Sequence, residues 1–124
     1  MRDRSDLREY LDAIDLCYFG GACEDLGVEI RWMRARGGDP TRVGQYVIDS
    51  KTIEIARHLA HESIPLFFVL HVVHHEACHA LFGADHDSLA FRAHERQFVQ
   101  MYESIEWERK THNQPWPSAP KGLR

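Results

Sequence analysis

One segment, PLFFVLHVVHHEACHALF (residues 65–82), constrains the fold more than any other part of this 124-residue chain. It is apolar around most of its helical circumference, which predicts a central helix that the other elements bury. Residues 75–79 of this helix read HEACH and match the pattern H-E-x-x-H. Because a buried polar group without a partner costs about 1–3 kcal/mol, this polar group on an apolar helix predicts a bound ion.

The H-E-x-x-H spacing suits a single metal ion. In a helix, His75 and His79 lie about 40° apart on one face and about 6 Å apart along the axis, so both imidazoles can reach one zinc ion. Glu76 is displaced by about 100° from His75, so its carboxylate can reach a water molecule on the metal without taking a ligand position. Cys78 points away from the ligand face and is predicted to be a small core residue.

A third protein ligand must come from beyond Gly83. If the helix continued, His86 would lie about 10 Å beyond His79 along the axis, too far to share an ion. Gly83 is predicted to end the helix and let the chain fold back, which makes His86 the expected third ligand. Glu95 competes for this position, because it falls on the inner face of the last predicted helix. Its alternative role is a hydrogen bond that orients a ligand imidazole.

The N-terminal half is predicted to contain one helix and three short strands. The helix begins at a cap supplied by Ser5 or Asp6 and stops at the two glycines of FGGA, residues 19–22. A loop rich in Gly, Asp and Pro follows the first strand. Apolar and polar residues alternate in the three strand segments, which are residues 28–34, 43–49 and 52–59, and the loop is residues 35–42.

The C-terminal half is predicted to contain the central helix, one further helix and a tail. Ser63 is the expected cap of the central helix, with Pro65 in its first turn. The further helix starts at residue 87 or 88 and frays near residue 110. Residues 111–124, with three prolines and no periodicity, are predicted to be a flexible tail. The apolar face of the further helix comprises Phe91, Phe98, Tyr102 and Ile105.

Composition argues against several classes of protein. The net charge is -4, and no stripe of basic and aromatic residues is visible, so nucleic acid is not expected as a partner. A basic cluster near the 35–42 loop, formed by Arg31, Arg34, Arg36 and Arg42, is expected to be solvated. No run of about 18 apolar residues predicts a membrane span, and the charged start lacks the apolar core of a signal peptide. Three cysteines form no disulfide framework, which predicts a reducing, cytoplasmic compartment.

The order of these motifs resembles the SprT-like zinc metallopeptidase family along nearly the whole chain. The matching strings are YFGG (18–21), IRW (30–32), GQY (44–46), IEIA (53–56), the central helix and HDSLAFRAHERQF (86–98). The resemblance implies a zincin-like α+β domain over residues 1–110, with an N-terminal helix, a small three-stranded sheet, the H-E-x-x-H helix and a C-terminal helix. No cysteine follows Cys78, so a minimal version of the domain without a zinc ribbon is expected.

The resemblance also implies a reaction. His75, His79 and His86 are expected to bind one zinc ion per chain, and Glu76 is expected to be the general base that activates water for peptide hydrolysis. A protein or peptide substrate is expected along an exposed edge of the small sheet. Further candidates, as hydrogen-bond partners of the ligands or as stabilisers of the oxyanion, are Glu95, His71, Tyr46 and Arg92.

Some features depart from the family pattern and leave an alternative open. His86 follows His79 by only seven residues, a short link for this family. The same segment is also similar to the metzincin pattern H-E-x-x-H-x-x-G-x-x-H-D, but one residue is inserted before Gly83 and no methionine turn follows. The alternative function is a non-catalytic or latent metal-binding protein that acts as an adaptor or regulator. The intact Glu76 argues against a protein that has lost its activity.

Overall fold

A computed structural model describes residues 1–34 and 42–123 of the chain. These residues form an α+β fold, as predicted, with five α-helices, one 3₁₀ helix and a three-stranded sheet. The elements are α1 (Arg4–Phe19), α2 (Ala22–Leu26), β1 (Glu29–Trp32), β2 (Gly44–Val47), β3 (Thr52–Ile55), the 3₁₀ helix (Arg57–Ala60), α3 (Leu66–Phe82), α4 (Leu89–Glu95) and α5 (Met101–Thr111). The predicted loop lies outside the described residues except for Arg42, and so does Arg36.

Helix α1 begins earlier than the sequence predicted. Its N-cap is Asp3, whose carboxylate accepts a hydrogen bond from the backbone N–H of Asp6, while the Asp6 carboxylate accepts one from Asp3. The predicted cap at Ser5 or Asp6 was therefore wrong, because both residues lie inside the first turn. The predicted stop is confirmed, since Gly20 has a left-handed conformation with φ 60° and closes the helix. The short helix α2 was not predicted.

Strand β3 lies at the centre of the sheet, in the order β1-β3-β2. It pairs in parallel with β1, where Ile30 faces Ile53, and antiparallel with β2, where Tyr46 faces Ile53. Among the described strands, β1 and β2 therefore form the two edges of the sheet. All three predicted strands are present but shorter than predicted. For the third strand, the prediction was wrong beyond Ile55, where the strand ends. The chain turns there into the 3₁₀ helix, which buries Leu59 completely.

Helix α3 packs between α1, the sheet and the C-terminal helices, and it carries much of the core. Cys78 is completely buried on this helix, as predicted. Gly83 ends the helix, also as predicted, and its N–H donates to the carbonyl of His79. The prediction of Ser63 as the cap of this helix was wrong, because Pro65 occupies the cap position. Ser63 instead forms a hydrogen bond with the ring of His61 at 2.8 Å.

The last predicted helix consists of two helices. Ser88 caps α4, accepting a hydrogen bond from the N–H of Phe91 at 3.2 Å, and so the predicted start is confirmed. The chain turns after Glu95 and begins α5 at Met101. This turn changes which face of the second helix meets the core. Phe91 and Phe98 are buried, as predicted, but the predicted burial was wrong for Tyr102 and Ile105, which are 74% and 50% exposed.

The segment that follows α5 packs partly against the domain. The ring of Trp116 lies 4.6 Å from that of His58, and Arg57 donates to the carbonyl of the buried Leu123 at 2.8 Å. The predicted flexibility of residues 111–124 stays a prediction. Across residues 1–34 and 42–123, no helix combines the length and apolar character that a bilayer crossing requires.

Candidate metal centre

Three histidine side chains converge at the C-terminal end of α3. His75 and His79 project from successive turns of the helix, and His86 reaches them from the turn that Gly83 begins. One ring nitrogen from each histidine lies within 4.8 Å of the other two. The Nε2 atoms of His75 and His86 are 3.3 Å apart. The structure therefore brings together the three residues that the sequence singled out as metal ligands.

The spacing of two of these nitrogens matches that of two ligands on one zinc ion. Zinc–nitrogen bonds are about 2.0–2.1 Å long, and tetrahedral zinc therefore separates two such ligands by about 3.3 Å. The Nε2 atoms of His75 and His86 have this separation. Three neutral imidazoles also leave a fourth tetrahedral position open, as catalytic zinc sites require. The three histidines can thus form a metal site that is compatible with zinc.

Two hydrogen bonds orient the histidine rings from behind. The Nδ1–H of His75 donates to the Glu95 carboxylate at 2.7 Å, and that of His79 donates to the Gly83 carbonyl at 3.0 Å. A ring that donates from Nδ1 keeps the Nε2 lone pair free for a metal. Glu95 contacts His75 through the nitrogen that does not face His86. This position suits the orienting role, which was one of the two roles considered for Glu95.

Glu76 lies beside the three histidines with its side chain almost completely buried. It is 4% exposed and lines, with all three histidines, a cavity of about 550 Å³ that is called the metal-facing cavity below. Burial raises the pKa of Glu76 to about 7, opposed by the positive charge of Arg42. Within the described part of the chain, no hydrogen bond reaches the Glu76 carboxylate. This carboxylate is thus available to exchange a proton with a molecule in the cavity.

A model of the SprT-like family matches residues 7–116. The chain belongs to the SprT-like family. The match runs from α1 to Trp116 and includes the three histidines and Glu76. No protein among the curated ones searched matches the chain. Membership in this family supports a domain of metallopeptidase type.

The other predicted site residues of this SprT-like protein lie at different distances from the centre. Tyr46 lines the metal-facing cavity from β2. His71 lies one turn before His75, where its ring contacts the hydroxyl of Ser104 at 2.5 Å and lines a neighbouring cavity. Arg92 lies on the exposed face of α4, apart from the described residues that line these two cavities. The structure thus brings Tyr46 and His71 toward the site, but not Arg92.

His74 belongs to the core of the SprT-like domain. It is completely buried, and its ring lies 4.9–5.3 Å from those of Tyr18, Phe19 and Phe98. Burial lowers the pKa of His74 to about 4, so the ring is neutral at physiological pH. A neutral aromatic ring fits this environment.

Sequence reasoning assigned no site role to two residues that line the metal-facing cavity. Arg42 was expected only in a solvated cluster, but its charge acts on Glu76. Gly44 appeared only as part of the GQY string. A Cβ atom added at Gly44 would lie 2.8 Å from Cγ1 of Val72 and 3.1 Å from Oε2 of Glu76. Gly44 therefore allows β2 to pack directly against the α3 turn that carries the carboxylate.

Gly44→Ala is expected to destabilise the fold by about 1–3 kcal/mol and to displace the Glu76 carboxylate, because the added methyl group meets side chains on a packed helix. Urea unfolding measures the loss of stability, and a crystal structure of the variant measures the displacement of the carboxylate. Gly20→Ala is the matched control. It strains a residue with φ 60° but meets no atom within 4 Å, so it is expected to cost about 1–2 kcal/mol without changing the site. A Glu76 carboxylate in the same position in both variants would rule out a positioning role for Gly44.

Proposed function

We propose that this SprT-like protein is a zinc-dependent metalloendopeptidase of the zincin type. The observation that carries the proposal is the placement of a buried carboxylate, Glu76, beside three converging histidines in one open cavity. A site that only binds a metal needs the three histidines. It gains nothing from a desolvated acid, which by burial alone disfavours its own charged form. A hydrolase needs that acid to move a proton.

The chain's own residues supply binding, orientation and proton transfer. A zinc ion held by His75, His79 and His86 would supply Lewis acidity toward a water molecule and the scissile carbonyl. Glu76 accepts the proton of the attacking water on its carboxylate and then gives it to the leaving amine. Burial raises the pKa of Glu76 to about 7 in the metal-free site, and a divalent cation beside it would lower this pKa, so that the carboxylate would be ionised near neutral pH and able to accept a proton. Glu95 holds the His75 ring in one tautomer.

The substrate is proposed to bind as an additional strand along β2. This strand is an edge of the sheet among the described strands, and Gly44, Gln45 and Tyr46 line the metal-facing cavity. An extended peptide that pairs with this edge forms main-chain hydrogen bonds independent of its sequence. Its scissile bond would then pass the three histidines. Of the proposed oxyanion donors, Tyr46 lines the metal-facing cavity that Glu76 shares with all three histidines.

A reducing compartment such as the cytoplasm is proposed for this activity. All three cysteines lie within the described residues and are free thiols. Cys23 and Cys78 are buried, and desolvation raises the pKa of each to about 12. Both thiols are therefore protonated and unreactive in the native state.

Removal of the metal is the experiment that tests the proposed function. Zinc-reconstituted protein is expected to cleave an unfolded substrate such as reduced casein, and dialysis against a chelator is expected to abolish cleavage. Adding about one equivalent of zinc should restore it. Gel electrophoresis and mass spectrometry of the fragments provide the readout. Cleavage that continues at the same rate in metal-free protein would reject the proposed function.

Glu95→Ala is expected to weaken zinc binding by about 10–100-fold, and His86→Ala is expected to weaken it considerably more. The difference arises because Glu95 orients a ligand through Nδ1 of His75, whereas His86 offers its own nitrogen to the site. Competition with a chromophoric chelator measures both affinities. If Glu95→Ala empties the site while His86→Ala leaves it filled, Glu95 is the third ligand.

A further inference from the structure

A second cavity, of about 260 Å³, lies next to the metal-facing one and shares His75 and Glu76 with it. It extends along α3 from His75 back toward Phe68, which is two helical turns or about 10 Å. We call it the side pocket. Its position beside the two shared residues means that a side chain next to the scissile bond of a bound peptide can enter it. Its length along α3 is sufficient for a long side chain.

The side pocket has apolar walls and several carboxylates. Val43, Phe68 and Val72 form the apolar part. The acidic residues are Glu76, Glu95 and Glu108, and His71 and His75 complete the described lining. Neither lysine nor arginine occurs among these residues. A ligand that fits such a surface has an apolar stem and a positive charge.

Two of the three carboxylates, those of Glu76 and Glu108, form no hydrogen bond or ion pair with another described side chain. Glu95 accepts a hydrogen bond from the Nδ1–H of His75. Glu76 is 4% exposed, and no hydrogen bond or ion pair to it occurs between described side chains. Glu108 is exposed on the rim of the pocket, one turn after Ser104 on α5, and it too has no hydrogen bond or ion pair with another described side chain. Desolvation raises the pKa of Glu108, which a nearby cation would counteract.

We propose that the side pocket binds the substrate side chain next to the scissile bond, that it selects lysine or arginine, and that Glu108 determines this specificity. The inference rests on the proposed peptidase function. Lysine and arginine lay their methylene stems on apolar surface and keep the charged group near water. The stem would lie against Phe68 and Val72, and the charged group would reach the Glu108 carboxylate at the rim. A charge-assisted hydrogen bond there is stronger than one between neutral groups.

Cleavage of a matched peptide series tests the specificity. The peptides share one sequence and carry lysine, arginine, glutamine or norleucine at the residue next to the scissile bond. Wild-type protein with zinc is expected to cleave the lysine and arginine peptides with a kcat/KM about tenfold or more above that of the norleucine peptide. Glu108→Gln is expected to bring this ratio close to one. Glu103→Gln, at an exposed position on the same helix, is the matched control and should keep the ratio.

A binding measurement separates failure of this inference from failure of the proposed function. The probe is n-butylguanidinium, which has the stem and charge of arginine but no bond to cleave, and pentanamide is its neutral counterpart. Nuclear magnetic resonance titration of the zinc-loaded protein is expected to show at least about tenfold tighter binding of the cation, lost in Glu108→Gln. Peptide cleavage without preference for lysine or arginine would overturn the inference and leave the peptidase intact. Cation-selective binding without cleavage of any peptide would reject the peptidase function, and with it the substrate role of the pocket.

Discussion

Replacing Glu76 by glutamine is expected to lower peptide cleavage by about 100-fold or more while zinc binding stays close to one ion per chain. Glutamine has nearly the shape of glutamate but cannot accept the proton of the attacking water. Glu76 is buried, and desolvation disfavours the charged form of its carboxylate. The neutral amide of glutamine is therefore not expected to destabilise the fold. Initial rates on a quenched fluorescent peptide, with zinc measured in the same sample, give both quantities.

The matched control for this substitution is Glu103→Gln, which makes the same chemical change at an exposed position of α5. It is expected to retain full activity. If Glu76→Gln also retains full activity, Glu76 takes no part in the reaction. If wild type and variant are equally inactive but bind zinc, the non-catalytic or latent metal-binding protein becomes the better account of the chain.

His79→Ala is expected to weaken zinc binding by more than about 100-fold, because loss of a ligand costs more than loss of a residue that orients one. The stabilisation by zinc should be lost as well. A ligand present at 1,000 times its Kd stabilises the folded state by about 4 kcal/mol, which raises the melting temperature of wild type when zinc is added. Calorimetry of both proteins with and without zinc measures this difference.

A second histidine substitution serves as the control for His79→Ala. His112 follows α5, is exposed, and contacts the carbonyl of Arg109 through its ring. His112→Ala is expected to keep the zinc-dependent rise in melting temperature unchanged. If zinc raises the melting temperature of His79→Ala as much as that of wild type, His79 is not a ligand, and the interpretation of the H-E-x-x-H motif is contradicted.

Features that depend on local sequence could be predicted well. The apolar helix α3, its end at Gly83 and the two histidines one turn apart follow from helical periodicity and from the conformational preference of glycine. The three strands follow from alternation, although each is shorter than predicted. The position of His86 could also be expected, because a helix that stops at Gly83 must change direction within the three residues that precede His86.

Features that depend on long-range packing could not be predicted. The parallel pairing of β1 with β3 brings together strands more than 20 residues apart. The turn between α4 and α5 changes which face of α5 meets the core. Helical periodicity therefore placed Tyr102 and Ile105 wrongly in the core. The roles left open for Glu95 differ by only a few ångströms in the position of one carboxylate, a difference that periodicity does not resolve.

In the proposed function, three histidines of this SprT-like protein hold one zinc ion beside a catalytic carboxylate. A crystal structure of the zinc-reconstituted protein, with anomalous scattering recorded at the zinc edge, tests this most directly. It is expected to show one anomalous peak per chain, about 2.0–2.1 Å from a nitrogen of each of His75, His79 and His86, with Glu76 facing the open position and Glu95 bonded to Nδ1 of His75. Reconstituted crystals without a peak between these histidines would contradict the claim.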